Sequence, residues 1–164
     1  MTRPTFRLLL SHPAHFFSLG LGSGLSPKAP GTVGSLLAWA LYPLILLIVP
    51  TAWLWVFLLL TFALGCVMVT HTGKALGVVD HGGIVWDEFV AVWLVLWLSP
   101  AAIGWQCFAV VLFRLFDIWK PWPISIADRK FKNGFGVMFD DLLAAGYTLI
   151  GIMAAQRALA ALSG

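Results

Sequence analysis

Between Gly34 and Gly73 the chain carries no Asp, Glu, Lys or Arg. No soluble fold of this size supplies enough interior to hide so long an uncharged run, whereas a bilayer does. Pro50 and Thr51 divide the run into "GSLLAWALYPLILLIVP" and "TAWLWVFLLLTFALGCVMVTHTG". Each piece is close to the roughly 20 apolar residues that a helix needs to cross a membrane. The tight break between them predicts an antiparallel helical hairpin.

A second uncharged run, Phe89 to Phe113, is split at Ser99-Pro100. Its first half, counted from Ile84, offers about 24 Å of helix at 1.5 Å per residue, short of roughly 30 Å of hydrocarbon. Either the bilayer thins there or the pair is re-entrant. A last apolar segment runs from about Asp140 to Leu162. The expectation is therefore all-α: a polytopic membrane helical bundle of about five hydrophobic helices, roughly 34–50, 52–72, 86–99, 101–118 and 140–162. The third and fourth are short or re-entrant. Residues 1–164 read as a single membrane-embedded domain. The composition agrees, with 60% hydrophobic residues, 10% charged and a mean hydropathy of +0.93.

Other features narrow the class. Cys66 and Cys107 lie in apolar runs and read as buried free thiols. The N-terminal "LLLSHPAHFFSLG" is broken by His12, Pro13 and His15, which argues against a cleaved signal peptide. His12, His15 and His71 show no metal-ligand spacing. With an inside N-terminus, Arg3, Arg7, Lys28, Lys74, Lys120, Arg129, Lys130 and Lys132 all fall inside. The outer turns at Pro50 and Pro100 carry no Lys or Arg. Trp86, Trp119 and Trp122 suit an aromatic belt. The basic residues anchor topology and attract anionic membrane lipids, and no cluster resembles a nucleic-acid footprint.

The seven acidic residues are Asp80, Asp87, Glu88, Asp117, Asp128, Asp140 and Asp141. In this topology all fall at the inner membrane boundary or in inside loops. A proton or ion pathway would instead distribute ionisable groups through the depth of the bilayer. Acids at the start of a helix need no function, since they complement the helix dipole. That reading covers Asp87 and Glu88 at the head of the third helix, and Asp140 and Asp141 at the head of the fifth. Asp117 is different, because it sits near the end of the fourth helix, where the dipole opposes it. Arg114 and Lys120, three residues to either side, would share its face. Asp87, Glu88, Asp117, Asp140 and Asp141 together outnumber the local cations. Oxygen-only ligands favour Mg²⁺ or Mn²⁺, and one or two such ions suit attack on a phosphate ester.

"GLGSGLSPKAPGTVGSL", residues 20–36, places glycines before the first long helix. Ser23, Gly31 and Thr32, with nearby backbone N–H groups, are candidates to cradle phosphate; the Walker spacing is absent. Lys74, Arg114 and Lys120 are candidate cationic partners. Asp80 and His81 in the middle loop are candidate catalytic proton donors, though a lone loop histidine has many uses.

"GLGSGLSPKAPGTVGSL", "GVVDHGGIVWDEF", "FRLFDIWKPWPI" and "FGVMFDDLLAAG" occur in this order and jointly resemble the phosphatidylglycerophosphatase A family of bacterial inner-membrane lipid phosphatases. The resemblance implies Mg²⁺-dependent hydrolysis of phosphatidylglycerophosphate to phosphatidylglycerol and inorganic phosphate, at a site facing the cytoplasm. It carries over onto Asp80, His81, Asp87, Glu88, Arg114, Asp117, Lys120, Asp140 and Asp141, and onto Ser23, Pro30, Gly31 and Thr32, without assigning each a role. The alternatives are a transporter or channel with a carboxylate-lined mouth, and a non-catalytic membrane scaffold. Oligomeric state is not encoded in any of these motifs.

Overall fold

The computed structural model describes residues 3–163 and is all-helical, with no strand among the described residues. Two short helices open it, α1 (Phe6–Ser11) and α2 (Pro13–Ser18). Thr5 caps the first, and His12 caps the second through Nδ1, with Pro13 set at the start of α2. A 3₁₀ turn over Gly20–Leu25 leads to α3 (Pro30–Ile48), and another over Thr51–Trp53 leads to α4 (Leu54–Leu76). Then come α5 (Trp86–Leu98), α6 (Ile103–Trp119), α7 (Ile124–Lys130) and α8 (Gly134–Ser163).

Three helices are long and apolar enough to cross a membrane: Pro30–Ile48, Thr51–Leu76 and Gly134–Leu162. Much of the first two faces outward as bare hydrocarbon; Leu47 is 82% exposed and Ile48 81%. An apolar helix surface left uncovered by protein suits lipid as its solvent. Of the five spans expected, α5 and α6 fall short, with 13 and 17 residues.

The shortness of α5 has a packing explanation. It is the central helix, lying chiefly against α3 and α8 and also against α4 and α6. Residues from Trp86 through Trp93 are all buried. A helix of about 20 Å enclosed by protein need not match the bilayer thickness. Two indoles pin it: Trp93 Nε1 donates to the Ala38 carbonyl at 2.8 Å and Trp86 Nε1 to the Thr61 carbonyl at 3.2 Å. Trp86 is therefore a core residue, not the belt residue expected, whereas Trp119 and Trp122 are exposed. Cys107 is exposed rather than buried; both cysteines are free.

The last helix begins two turns earlier than expected. Asn133 Oδ1 accepts from the Gly136 N–H at 2.9 Å and caps α8. Gly134 and Gly136 look like helix breakers, yet both are contact residues. A methyl on Gly134 would meet the Cys66 carbonyl at 2.3 Å, and one on Gly136 the Phe131 carbonyl at 1.8 Å. Asp140 and Asp141 thus lie inside α8, so its N-terminal dipole does not account for them.

Candidate active site

The acidic residues converge where α5 begins, α6 ends and α8 passes. Asp87 and Glu88 occupy the first turn of α5, beside its free N–H groups. One oxygen from each of Asp87, Glu88 and Asp141 lies within 4.8 Å of the other two. Asp117 lies beside Asp141 and forms an ion pair with Arg114. Arg114 Nη1 also lies 3.3 Å from Glu88 Oε1. The guanidinium therefore ties α6 to α5 while facing two carboxylates.

Lys120 does not share the Asp117 face, as helical spacing suggested. It follows the end of α6 in the left-handed region, at φ 45°, a conformation costly for a side chain with a Cβ. That turn sends Nζ to Asp140 Oδ2 at 2.5 Å and to Asp128 Oδ1 at 2.7 Å. Burial works against the charged ammonium, but Asp140 and then Asp128 outweigh it and raise the Lys120 pKa above its ordinary value. Burial likewise opposes the Asp128 carboxylate. The Lys120 bond prevails and holds that carboxyl below the usual range.

Burial makes this cluster expensive. Asp87, Glu88, Asp140 and Asp141 are 9%, 7%, 5% and 3% exposed. Asp87 Oδ1, Glu88 Oε2, Asp140 Oδ1 and Asp141 Oδ2 are buried without a hydrogen-bond partner, as is Arg114 Nε. Uncompensated carboxylate in low dielectric costs several kcal/mol per ion by order of magnitude. The natural relief for orphaned carboxylate oxygens is a hard divalent cation, which takes oxygen ligands and adds charge of the missing sign. The donor set of Asp87, Glu88 and Asp141 fits such an ion.

The glycine loop has two roles. Gly20 and Gly22 adopt φ of 54° and 104°, and a methyl on Gly24 would stand 1.9 Å from the Gly83 carbonyl. These glycines let the loop lie flat on residues 81–85, where the Val85 N–H donates to the Ser18 carbonyl at 2.9 Å. Gly31, in the first turn of α3, abuts Glu88 and Arg114. Thr32 is half-buried beside it. Ser23 is buried, and its hydroxyl donates to the Gly20 carbonyl at 2.8 Å, inside its own loop.

The remaining candidates are dispersed. Asp80 lines a small cavity with Asp128, Lys132 and Asp140, at the edge of the cluster. His81 faces a separate cavity with Arg3, Ser26 and Pro30, and its Nδ1 accepts from the Gly83 N–H at 3.0 Å. Lys74 is exposed on α4 and lines a third cavity with His71 and Asn133. The structure therefore brings Asp87, Glu88, Arg114, Asp117, Lys120, Asp140, Asp141 and Gly31 into one network, with Asp80 adjoining it. Ser23, Lys74 and His81 lie elsewhere. Asp128 joins the network as the second partner of Lys120, which sequence reasoning passed over. Its only signal was an acid standing among the basic residues of "ADRKFK".

These features define an all-helical protein with three helices fit to cross a membrane and a buried polycarboxylate site at one end of the bundle. The family model described as "Phosphatidylglycerophosphatase A" matches residues 16–156. A phosphatidylglycerophosphatase A of Haemophilus influenzae is 45% identical over 155 residues, covering 93% of this chain and 94% of its own. One from Escherichia coli is 42% identical over 160 residues, covering 90% and 85%. A putative phosphatidylinositol-3-phosphatase of Bacteroides thetaiotaomicron is 36% identical over 162 residues, covering 95% and 98%. No solved structure matches. The chain belongs to the phosphatidylglycerophosphatase A family and is a phosphatase.

Proposed function

We propose that this protein hydrolyses phosphatidylglycerophosphate to phosphatidylglycerol and inorganic phosphate, with Mg²⁺, at the cytoplasmic face of a bacterial inner membrane. The observation that carries the chemistry is the set of four orphaned carboxylate oxygens, on Asp87, Glu88, Asp140 and Asp141, buried at the end of the bundle. The substrate comes from the names of the relatives in Haemophilus influenzae and Escherichia coli.

In this reading Asp87, Glu88 and Asp141 hold one or two Mg²⁺, with Asp117 and Asp140 completing the shell. Bound there, the ion supplies Lewis-acid polarisation of the phosphate and a nucleophilic water at neutral pH. Arg114 fixes the orientation of Glu88 and Asp117 and meets phosphate charge with its remaining donors. Lys120 restrains Asp140. Gly31 keeps the approach to Glu88 open, and the first-turn N–H groups of α3 with Thr32 seat phosphate oxygens. Asp80, at the edge of the cluster, donates the proton to the leaving glycerol oxygen.

The cytoplasmic placement is supported by charge. The end of the bundle holding the cluster also holds Lys28, Lys74, Arg129, Lys130 and Lys132, while the turns at 49–53 and 99–102 have no Lys or Arg. Placed at the membrane boundary, the site meets the ester where the lipid presents it. The test is phosphate release by the purified protein from phosphatidylglycerophosphate, with Mg²⁺ and then with EDTA. Activity that vanishes with EDTA and in Asp87→Asn is expected. A wild type inactive on this lipid in Mg²⁺ overturns the proposal.

A further inference from the structure

The four helices packed against α5 do not close completely around it. On one side α4, α5 and α8 leave an open groove of about 340 Å³. Its walls are apolar, formed by Leu58 and Phe62 of α4, Val90, Leu94 and Trp97 of α5, and Leu142 of α8. Trp55 and Leu59 stand on its rim, 57% and 60% exposed, so it opens sideways toward the surface that faces lipid.

The groove lies on the same face of α5 as Asp87 of the carboxylate cluster. On α5 the residues Asp87, Val90, Leu94 and Trp97 follow one another at spacings of three, four and three, which is a single helical stripe. From Asp87 to Trp97 the stripe rises about 15 Å, half of roughly 30 Å of hydrocarbon, and so the depth of one leaflet. A second apolar groove of about 320 Å³, lined by Trp105, Phe108, Ala155 and Leu159, shares no such helical face with the acids. It sits at the start of α6, the end away from Asp117.

We infer that the groove beside Val90, Leu94 and Trp97 seats an acyl chain of the phospholipid whose phosphate is held at Asp87 and Asp141. This rests on the lipid-phosphatase reading above. The occupant is specific: a polar headgroup at the acids and a hydrocarbon chain one leaflet long running down the same face. In a bilayer the chain exchanges hydrocarbon for hydrocarbon on entering the groove, so its burial adds little affinity. The groove therefore positions the ester rather than supplying bulk affinity.

Two experiments on the full-length protein in mixed micelles test this. In the first, Leu94→Trp fills the groove, and Ala155→Trp fills the second groove as control. Leu94→Trp is expected to lower kcat/KM for dioleoyl phosphatidylglycerophosphate about tenfold, equivalent to 1.4 kcal/mol, chiefly through kcat, and to leave the dihexanoyl analogue unaffected. Ala155→Trp should change neither substrate. Equal loss on both substrates, or no loss on either, overturns the inference; Leu94→Ala, which enlarges the groove, replaces the filling variant if the latter fails to fold. In the second, phosphatidylglycerol and phosphatidylcholine with a diazirine on the acyl chain are photocrosslinked to the wild type. Labelling of α5 around Leu94 that is stronger for phosphatidylglycerol supports the seat, independently of turnover. Labelling by phosphatidylglycerol with no phosphate release from phosphatidylglycerophosphate in a parallel assay keeps the seat and removes the activity reading. Hydrolysis with labelling no greater than at Ala155, or equal from both lipids, removes the seat.

Discussion

A methyl group on Gly31 would stand 2.2 Å from Glu88 Oε1 and 2.9 Å from Arg114 Nη2. The first turn of α3 thus presses bare backbone against the ion pair joining α5 to α6. Gly31→Ala must displace side-chain ends rather than backbone, so the fold can absorb it. The expected outcome is a melting temperature near wild type, with phosphate release reduced about 100-fold by misplacement of Glu88 and Arg114. Thermal unfolding and initial rates measured on the same preparation check both halves.

Gly134→Ala should behave in the opposite way. Its new methyl would meet the Cys66 carbonyl at 2.3 Å and the Thr70 backbone nitrogen at 2.9 Å, and neither can swing aside. Overpacking at this crossing of α8 and α4 is expected to cost about 1–3 kcal/mol. A lowered melting temperature in detergent, measured by circular dichroism, is the readout.

Asp141 is 3% exposed with an unpartnered Oδ2 among like charges. Asp141→Asn removes a buried charge that has no ion-pair partner among the described residues. In EDTA the variant should melt no lower than wild type. Added Mg²⁺ should stabilise the wild type by about 2.7 kcal/mol at one hundred times its dissociation constant. The variant should lose that stabilisation together with its activity. Melting curves with and without Mg²⁺ decide it, and a wild type insensitive to Mg²⁺ would count against the cation site.

Lys120 bridges Asp128 and Asp140. Lys120→Ala leaves two carboxylates facing each other, and the expected cost is about 1–3 kcal/mol. Asp128→Asn keeps a neutral acceptor for Lys120, so it should lower kcat several-fold with little change in stability. Asp128→Glu should restore part of that loss. Steady-state kinetics of the three variants separates a positioning role from a merely structural one.

His15 is buried, with Nδ1 3.0 Å from Thr72 Oγ1, whose hydroxyl donates in turn to the Ala14 carbonyl. Burial, then the neighbouring His71 and His12, push its pKa below 6.5. The unfolded chain therefore binds a proton that the folded chain resists. The stabilising contribution is complete above about pH 6.5 and is lost as the pH falls below it toward the folded value. The melting temperature should fall on acidification through this window. His15→Asn, which keeps a donor for Thr72 but does not titrate, should flatten the profile.

Much of this could be read along the chain. Lipid-facing helices depend on uncharged length, a local property, so α3 and α4 were visible in the run from Gly34 to Gly73. The four motifs, in their order along the chain, were enough to name the family. The start of α8 was hidden, because Gly134 and Gly136 look like breakers until their close contacts with Cys66, Thr70 and Phe131 are known. Trp86 looked interfacial because its partners, Phe17, Phe89, Trp93 and the Thr61 carbonyl, lie on other elements or another turn.

The sequence by itself determined that the acids gather at one end of an apolar helical chain, because hydrocarbon excludes them and the spacing of the spans places them. Tertiary structure alone decided which of them meet. Asp87, Glu88 and Asp141 share one pocket because α5 is enclosed by its neighbours. Lys120 turns to Asp140 and Asp128 rather than Asp117 because the backbone after α6 adopts a left-handed conformation. Ser23, Lys74 and His81 are drawn into other contacts and cavities. Such pairings depend on distances between segments remote in the chain, and no local pattern encodes them.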